Sequence, residues 1–253
     1  MSDEVLVERR GRIQIITINR PEVRNAINLA VSQGLADALD ELDSDPGLSV
    51  AVLTGAGGNF SAGMDLKAFA AGELPYVPGR GVGFTEKPPV KPLISAVEGN
   101  ALAAGTELVL ATDLIVAACN AKFGIPEVKR GLVAGAGGLL RLPDRIPYQK
   151  ALELALTGDP FTAEEGAGFG FVNTLAEPGG ALDAALALAE RITANGPLAV
   201  AVTKEVIVKS RGWSADDRFQ KQIELIAPVF GSQDAKEGAV AFAEKRTPNW
   251  TGT

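Results

Sequence analysis

The sequence predicts one α/β domain in which strand–loop–helix units come first and helices alone come last. Three observations carry that expectation. Short runs rich in β-branched and other apolar residues recur through the first half, at Val5–Val7, Ile13–Ile18, Val50–Thr54, Leu93–Val97 and Leu114–Ala117. Two of them run into Gly-rich turns, one at Gly55–Gly63 and one beginning at Gly99. Beyond Gly137 the text is mostly helical in its spacing of apolar residues.

The elements follow in chain order. Val5–Val7 and Ile13–Ile18 flank Arg10-Gly11-Arg12 and read as a hairpin. Asn28–Leu42 carries Leu35, Leu39 and Leu42 at helical spacing, and Asp45-Pro46-Gly47 closes it. Val50–Thr54 reads as a short buried strand. Leu93–Val97 is a further strand that leads through Gly99 into an Ala/Gly-rich helix start, and Leu114–Ala117 is the next strand. The expected helices after Gly137 are Tyr148–Leu156, Thr162–Phe169, Ala181–Asn195, Pro197–Lys209, Ser214–Phe230 and Asp234–Lys245. The early units are unevenly spaced, so no sequence repeat is visible. Glu73–Pro92, rich in Pro and Gly and without periodicity, reads as one long loop, either functional, as long loops inside compact domains often are, or a flexible surface insertion.

Composition narrows the function classes. A chain of 253 residues with 46% hydrophobic and 22% charged residues can bury a sizeable core. A formal net charge of −7 argues against a general nucleic-acid or anionic-membrane binder, while leaving room for a local cationic pocket around one phosphorylated ligand. Cys119 is the only cysteine, which excludes an intrachain disulfide framework and a Cys-rich zinc site. Next to the apolar run Leu114–Ala118, it reads as a buried structural thiol. Met1–Arg10 lacks the apolar core of a signal peptide, and no apolar stretch approaches the ~20 residues that span a bilayer. The expectation is a soluble cytoplasmic protein with no nucleic-acid or membrane partner. There is no histidine, so Ser-His-Asp and Cys-His chemistry and His-ligated metals drop out, and no metal is expected. Proton transfer falls to carboxylates, Lys, Tyr, the lone Cys or water.

Two Gly-rich turns and two carboxylates carry the candidate chemistry. Gly55–Asp65 and Glu98–Glu107 each follow a predicted strand and open a helix. A helix start offers unpaired N–H groups and a positive dipole end, suited to an oxygen that gains negative charge. Such turns serve packing as readily as chemistry, and the residues alone do not decide between the two. Glu107 lies three residues after Ala104, within the first helical turn and among Ala, Leu and Val, where an ionised side chain is costly. Glu127 follows the kinked apolar stretch Phe123-Gly124-Ile125-Pro126. Two carboxylates near one site can divide acid and base work if their surroundings move their pKa values apart. Equally, Glu107 can cap or pair structurally and Glu127 can be a surface charge.

A longer set of matches resolves that balance. Ile16–Pro21 with Asn25–Asn28, Phe60–Lys67, Ala96–Leu102 with Gly105–Leu108, and Phe123–Glu127 with Gly135–Gly138 occur in order. Thr157-Gly158, Phe161–Ala167, Gly170–Asn173 and Lys236–Arg246 continue the series. Across essentially the whole chain, these blocks resemble the crotonase, or enoyl-CoA hydratase/isomerase, superfamily. The resemblance implies a single ClpP/crotonase-like domain over 1–253. Residues 1–195 would form a right-handed spiral of ββα units, and residues 196–253 a helical region for trimerisation and completion of the coenzyme A (CoA) site.

The resemblance also implies roles. The backbone N–H groups of Met64 and Ala104 would form an oxyanion hole for the thioester oxygen of an acyl-CoA. Glu107 would activate water for attack at Cβ, and Glu127 would deliver a proton to Cα. Arg24, Ala26, Ala62, Met64, Asp65 and Leu66 would line the CoA moiety, with Phe242 and Lys245 reaching a CoA site, often a neighbouring subunit's. No separate cofactor is implied, since CoA is part of the substrate, and the assembly would be a homotrimer or a dimer of trimers. Alanine stands at 103 and 104 where many members have glycine, and Lys129-Arg130 occupy a stretch that is often apolar. The implied reaction is hydration of a trans-2-enoyl-CoA, a step of fatty-acid β-oxidation. The rivals are an enoyl-CoA isomerase, which needs one carboxylate, another acyl-CoA reaction such as thioester hydrolysis, and a non-catalytic acyl-CoA binder.

Overall fold

The computed structural model describes residues 3–253. Strands β1 (Val5–Arg10) and β2 (Ile13–Ile18) form the expected antiparallel hairpin. Asn28 caps α1 (Leu29–Ser44) by accepting the Val31 N–H, and α1 buries Val31, Leu35, Leu39 and Leu42 as one stripe. Strands β3 (Val50–Gly55) and β4 (Leu93–Val97) follow, joined by the short helix α2 (Leu66–Ala70) and the loop after it. Next come a short strand β5 (Asn100–Leu102) and α3 (Ala104–Ala111), then β6 (Leu114–Ala118) and β7 (Lys122–Gly124). Helices α4 (Gly138–Arg145) and α5 (Tyr148–Thr157), strand β8 (Phe161–Thr162), α6 (Ala163–Gly168) and β9 (Thr174–Ala176) complete the core together with α7 (Ala181–Thr193). Helices α8 (Pro197–Ser210), α9 (Arg218–Phe230) and α10 (Gln233–Glu244) end the chain.

Two sheets organise these elements. The larger runs β1-β2-β3-β4-β6-β9 and is parallel from β2 onward; the smaller runs β5-β7-β8. A parallel bridge between Ser61 and Ala101 extends the smaller sheet into the loop after β3. The chain therefore repeats one move. A strand enters the large sheet, a short extended segment enters the small one, and a helix returns. β3–Ser61–α2, β4–β5–α3 and β6–β7–α4 are three such turns of the expected crotonase spiral. No repeat is visible in the sequence because the second segment of each turn is only one to three residues long, too short to show a period of two.

The large sheet is covered on both faces, so its strands read as near-continuous apolar runs. Ala51 and Leu53 of β3 face the core shared with α1, while Val50 and Val52 pack against Ala185, Leu186 and Ala189 of α7. Cys119, expected to be buried, is only partly so: it follows β6 directly, where its N–H donates to Ala176 O at the sheet's margin. Under the small sheet, Phe123 stacks on Phe161 at 5.5 Å and meets Phe171 edge-on at 5.1 Å, fixing β7 and the turn that follows it.

Helices α8 and α9 bury none of their residues. α8 is tied to the spiral by Lys204, whose Nζ donates to Pro89 O (2.7 Å), Lys91 O (2.9 Å) and Asp113 Oδ2 (2.7 Å). Helix α9 starts at Arg218 rather than at the expected Ser214. The Ser214 hydroxyl, 2.7 Å from Asp217 Oδ1, also accepts the Asp217 N–H, and Ser214 O accepts the Arg218 N–H, so Ser214 caps the turn that leads into the helix. No described helix is long and apolar enough to cross a membrane.

Candidate active site

The two Gly-rich turns meet. Asn25, fully buried at φ +56°, donates through Nδ2 to Ala56 O and Asn59 O and accepts the Arg20 N–H, folding the first turn inward. Ser61 Oγ donates to Asn25 O (2.8 Å) and accepts the Gly63 N–H. Gly63 sits at φ +98°, and a Cβ there would stand 2.6 Å from Ala103 Cβ and 2.8 Å from Leu102 O. A side chain at 63 would thus collide with the second turn, whose backbone approaches too closely for anything but glycine.

Ala103 takes φ +51°, ψ −126°, a conformation rare outside glycine, and α3 starts immediately after it. Glycine would adopt this conformation without the steric cost of a Cβ. The Ala103 N–H donates to Gly124 O, and the Thr106 hydroxyl lies 2.6 Å from Ala101 O and 2.8 Å from Gly124 O while accepting the Gly124 N–H. The second turn and the end of β7 are therefore one hydrogen-bonded unit. Among the described residues, neither the Met64 nor the Ala104 N–H donates a backbone hydrogen bond.

Glu107 is 2% exposed, and its Oε1 accepts the N–H groups of Ala136 (2.8 Å) and Gly138 (2.9 Å). Burial pushes its carboxyl up, and these two N–H groups and the Arg141 guanidinium oppose that rise. Glu127 opens a 3-10 turn at Glu127–Arg130 and is half-buried, with no hydrogen-bond partner for Oε2. Burial pushes its carboxyl up to about 7; a bond from its own backbone and Arg130 pull down, and the charge of Glu107 pushes up. The pair is close enough to be coupled, and its members are held in opposite ways. Beside Glu127 lies a cavity of about 380 Å³ walled by Ile125, Ala134, Leu139, Leu142, Leu152 and Leu156 among others.

The remaining predicted residues divide into two groups. Arg24, Ala26, Ala62, Met64, Asp65 and Leu66 gather on one rim of the first turn, joined by the Ala62 N–H to Arg24 O and the Ile27 N–H to Gly63 O. Arg24 is exposed at φ +54°. Asp65 also serves the scaffold. Its Oδ1 caps α2 by accepting from Lys67 and Ala68, and its Oδ2 pairs with Arg20 at 3.0 Å. Burial opposes its charge, but these donors hold its carboxyl below the usual range. Phe242, 87% exposed, and Lys245, the C-cap of α10, stand outside this hydrogen-bonded network. Lys129 pairs with Asp159 at 2.5 Å, and Arg130 bears on Glu127.

Sequence reasoning gave no role to Ala136, Gly138 and Arg141. The signal was present: a Gly-rich tetrad opening a helix is a natural seat for a charged oxygen, with successive N–H groups turned to one side.

Comparison with known proteins follows the same lines. Residues 8–253 match the family model described as enoyl-CoA hydratase/isomerase. The chain is similar to an enoyl-CoA hydratase of Mycobacterium tuberculosis (EchA19), 43% identical over 98% of this chain and 96% of the relative. It is also similar to a carnitinyl-CoA dehydratase of Salmonella arizonae, 41% identical over the full length of both. Among solved structures, an enoyl-CoA hydratase (EchA1) from Mycobacterium marinum matches with TM-score 0.98 and 70% identity over all of both chains.

Proposed function

The chain belongs to the enoyl-CoA hydratase/isomerase family, and from that premise we propose that it is a hydratase adding water across the 2,3 double bond of a trans-2-enoyl-CoA. The observation that carries this reading is the unequal carboxylate pair. Glu107 has two N–H donors on one oxygen and serves as base; Glu127, pushed up to about 7, is still partly protonated near neutral pH and serves as acid.

The thioester oxygen accepts hydrogen bonds from the Met64 and Ala104 N–H groups. Glu107 takes one proton from water as the oxygen bonds to Cβ, and the π electrons move through Cα onto the thioester oxygen. The resulting enolate collapses as Glu127 gives its proton to Cα. The product is a 3-hydroxyacyl-CoA, with Glu107 protonated and Glu127 ionised; exchange with solvent resets both. The oxyanion hole contributes by stabilising charge that exists only after attack. The CoA moiety lies along the rim from Arg24 to Leu66, completed by Phe242 and Lys245.

The cavity walls favour a hydrocarbon acyl chain. A carnitinyl group carries a quaternary ammonium, which proteins hold with aromatic faces or carboxylates. The lining contains no aromatic ring, and Glu127 is its one charged residue. The unburied helices α8 and α9, with Phe219 and Phe230 exposed, support assembly as a homotrimer or a dimer of trimers.

The test is loss of enoyl absorbance on incubation with 2-enoyl-CoAs of several chain lengths and with crotonobetainyl-CoA. Hydration of the hydrocarbon esters and little of the betaine ester is the expected result. No hydration, with conversion of a 3-enoyl-CoA, replaces hydratase by isomerase; no turnover of any ester leaves a binding protein.

A further inference from the structure

The turn that holds Glu107 is itself held, and by a residue outside the chemistry described above. Ala136 and Gly138 donate to Glu107 Oε1 across Gly137, which sits at φ +93°. The hollow over Gly137 is not empty: Arg141 Nη1 occupies the place where a Cβ would project. The Arg141 backbone N–H donates to Gly137 O (3.0 Å), and its Nη2 donates to Thr85 O (2.5 Å).

Thr85 belongs to the long Pro/Gly-rich loop, whose middle is firmly seated. Phe84 is fully buried, the Thr85 hydroxyl accepts the Val82 N–H, and Arg80 reaches α1 at Ala36 O and Asp40. We infer that Arg141 is the positioning residue of Glu107: it fills the hollow over Gly137 and ties the Ala136–Gly138 turn to the loop at Thr85. This role rests on the hydratase reading above for its consequence in turnover, though not for its consequence in the titration of Glu107.

Charge follows from the same placement. The ionisable groups acting around Glu107 are Glu127 from the 3-10 turn and Arg141 from α4; Glu127 in turn feels Arg130, and Arg141 feels Arg145. Within the loop, Arg80 is engaged by Asp40 and Glu86 by Tyr76, so Arg141 is the cation set against Glu107. Its guanidinium favours the ionised form, which is the form a base needs.

The experiment compares the parent with Arg141→Gln and Arg141→Lys, each checked for folding by circular dichroism. Two readouts are taken: kcat/KM against pH for a 2-enoyl-CoA, and the carboxyl titration of Glu107 followed by 13C NMR in a Glu127→Gln background. Arg141→Gln is expected to lower kcat on the order of 10²-fold through misplacement of the base. It should also move the acid limb and the Glu107 titration to higher pH, because removing a cation raises a carboxyl pKa. Arg141→Lys restores both titrations toward the parent but not kcat, since an ammonium keeps the charge and loses the fork. If neither variant moves the Glu107 titration, the inference is overturned, whatever happens to kcat. If the parent hydrates nothing but the titration moves as stated, the function proposed above fails and the placement of Arg141 stands.

Discussion

Glu107 and Glu127 carry the same side chain, yet the molecule treats them as opposites. Glu107 stands in the first turn of α3, enclosed on all sides, with one oxygen shared between two N–H groups of a facing turn. Glu127 opens a 3-10 turn beside an apolar cavity, and one of its oxygens touches no donor. Burial pushes both carboxyls up. What separates them is the supply of fixed donors: two N–H groups of a facing turn for Glu107, and for Glu127 only a bond from its own backbone. In the mechanism proposed above, the division between acid and base would rest on backbone geometry, through residues whose identities at 136 and 138 say nothing about acidity.

The severest way to break this contrast is to remove its members. Glu107→Gln and Glu127→Gln are each expected to cost roughly 10²–10⁴-fold in hydration rate. The double variant should be little worse than either single one, because the two act as a unit. Steady-state hydration of one 2-enoyl-CoA checks this. A Glu107→Gln protein that hydrates at the parent rate would falsify the paired mechanism, and one severe with one mild loss would point to isomerisation.

A smaller loss should come from leaving both carboxyls and deleting a donor to the substrate. Ala104→Pro removes one proposed oxyanion N–H and should cost on the order of 10²–10³-fold in kcat. Proline is tolerated in the first turn of a helix, so α3 can survive the change, and circular dichroism monitors that. A folded variant with normal turnover takes Ala104 out of the chemistry.

The mildest perturbation sharpens the contrast through stability. The carboxyl of Glu127 lies at about 7 in the fold, above its ordinary 4.5. A raised value means the folded state binds the proton more tightly than the unfolded chain. That contribution is present at low pH and is lost as pH rises from about 4.5 through about 7. Glu127→Gln cannot lose it. Its Tm relative to the parent should therefore rise between pH 4.5 and about pH 8, and scanning calorimetry at the two ends reads the difference. A constant difference would mean Glu127 titrates normally.

Legibility in the sequence followed the length of each signal. β2 and β4 were readable to the residue as bounded apolar runs, and α1 nearly so because it shows several turns of its period. β5, β7, β8 and β9 were not, since two or three residues carry no period and their pairing is imposed by neighbours. α4 was hidden by Pro143 inside it and by glycines at its start. The glutamates stood out as charges in apolar text. The donors to Glu107 did not, because a backbone N–H belongs to every residue except proline and only its direction makes it special.

Thr106 has a further consequence for how this site tolerates change. Its hydroxyl is one residue from Glu107 along α3 and binds Gly124, three residues before Glu127. The two carboxylates are thus the jaws of a short caliper whose pivot is the Thr106 hydroxyl and the Ala103 N–H, both bound to Gly124. Both arms leave that pivot within three residues, so a change elsewhere that spares it is expected to carry the two carboxylates together. Drift in the scaffold is cheap for as long as that pivot holds.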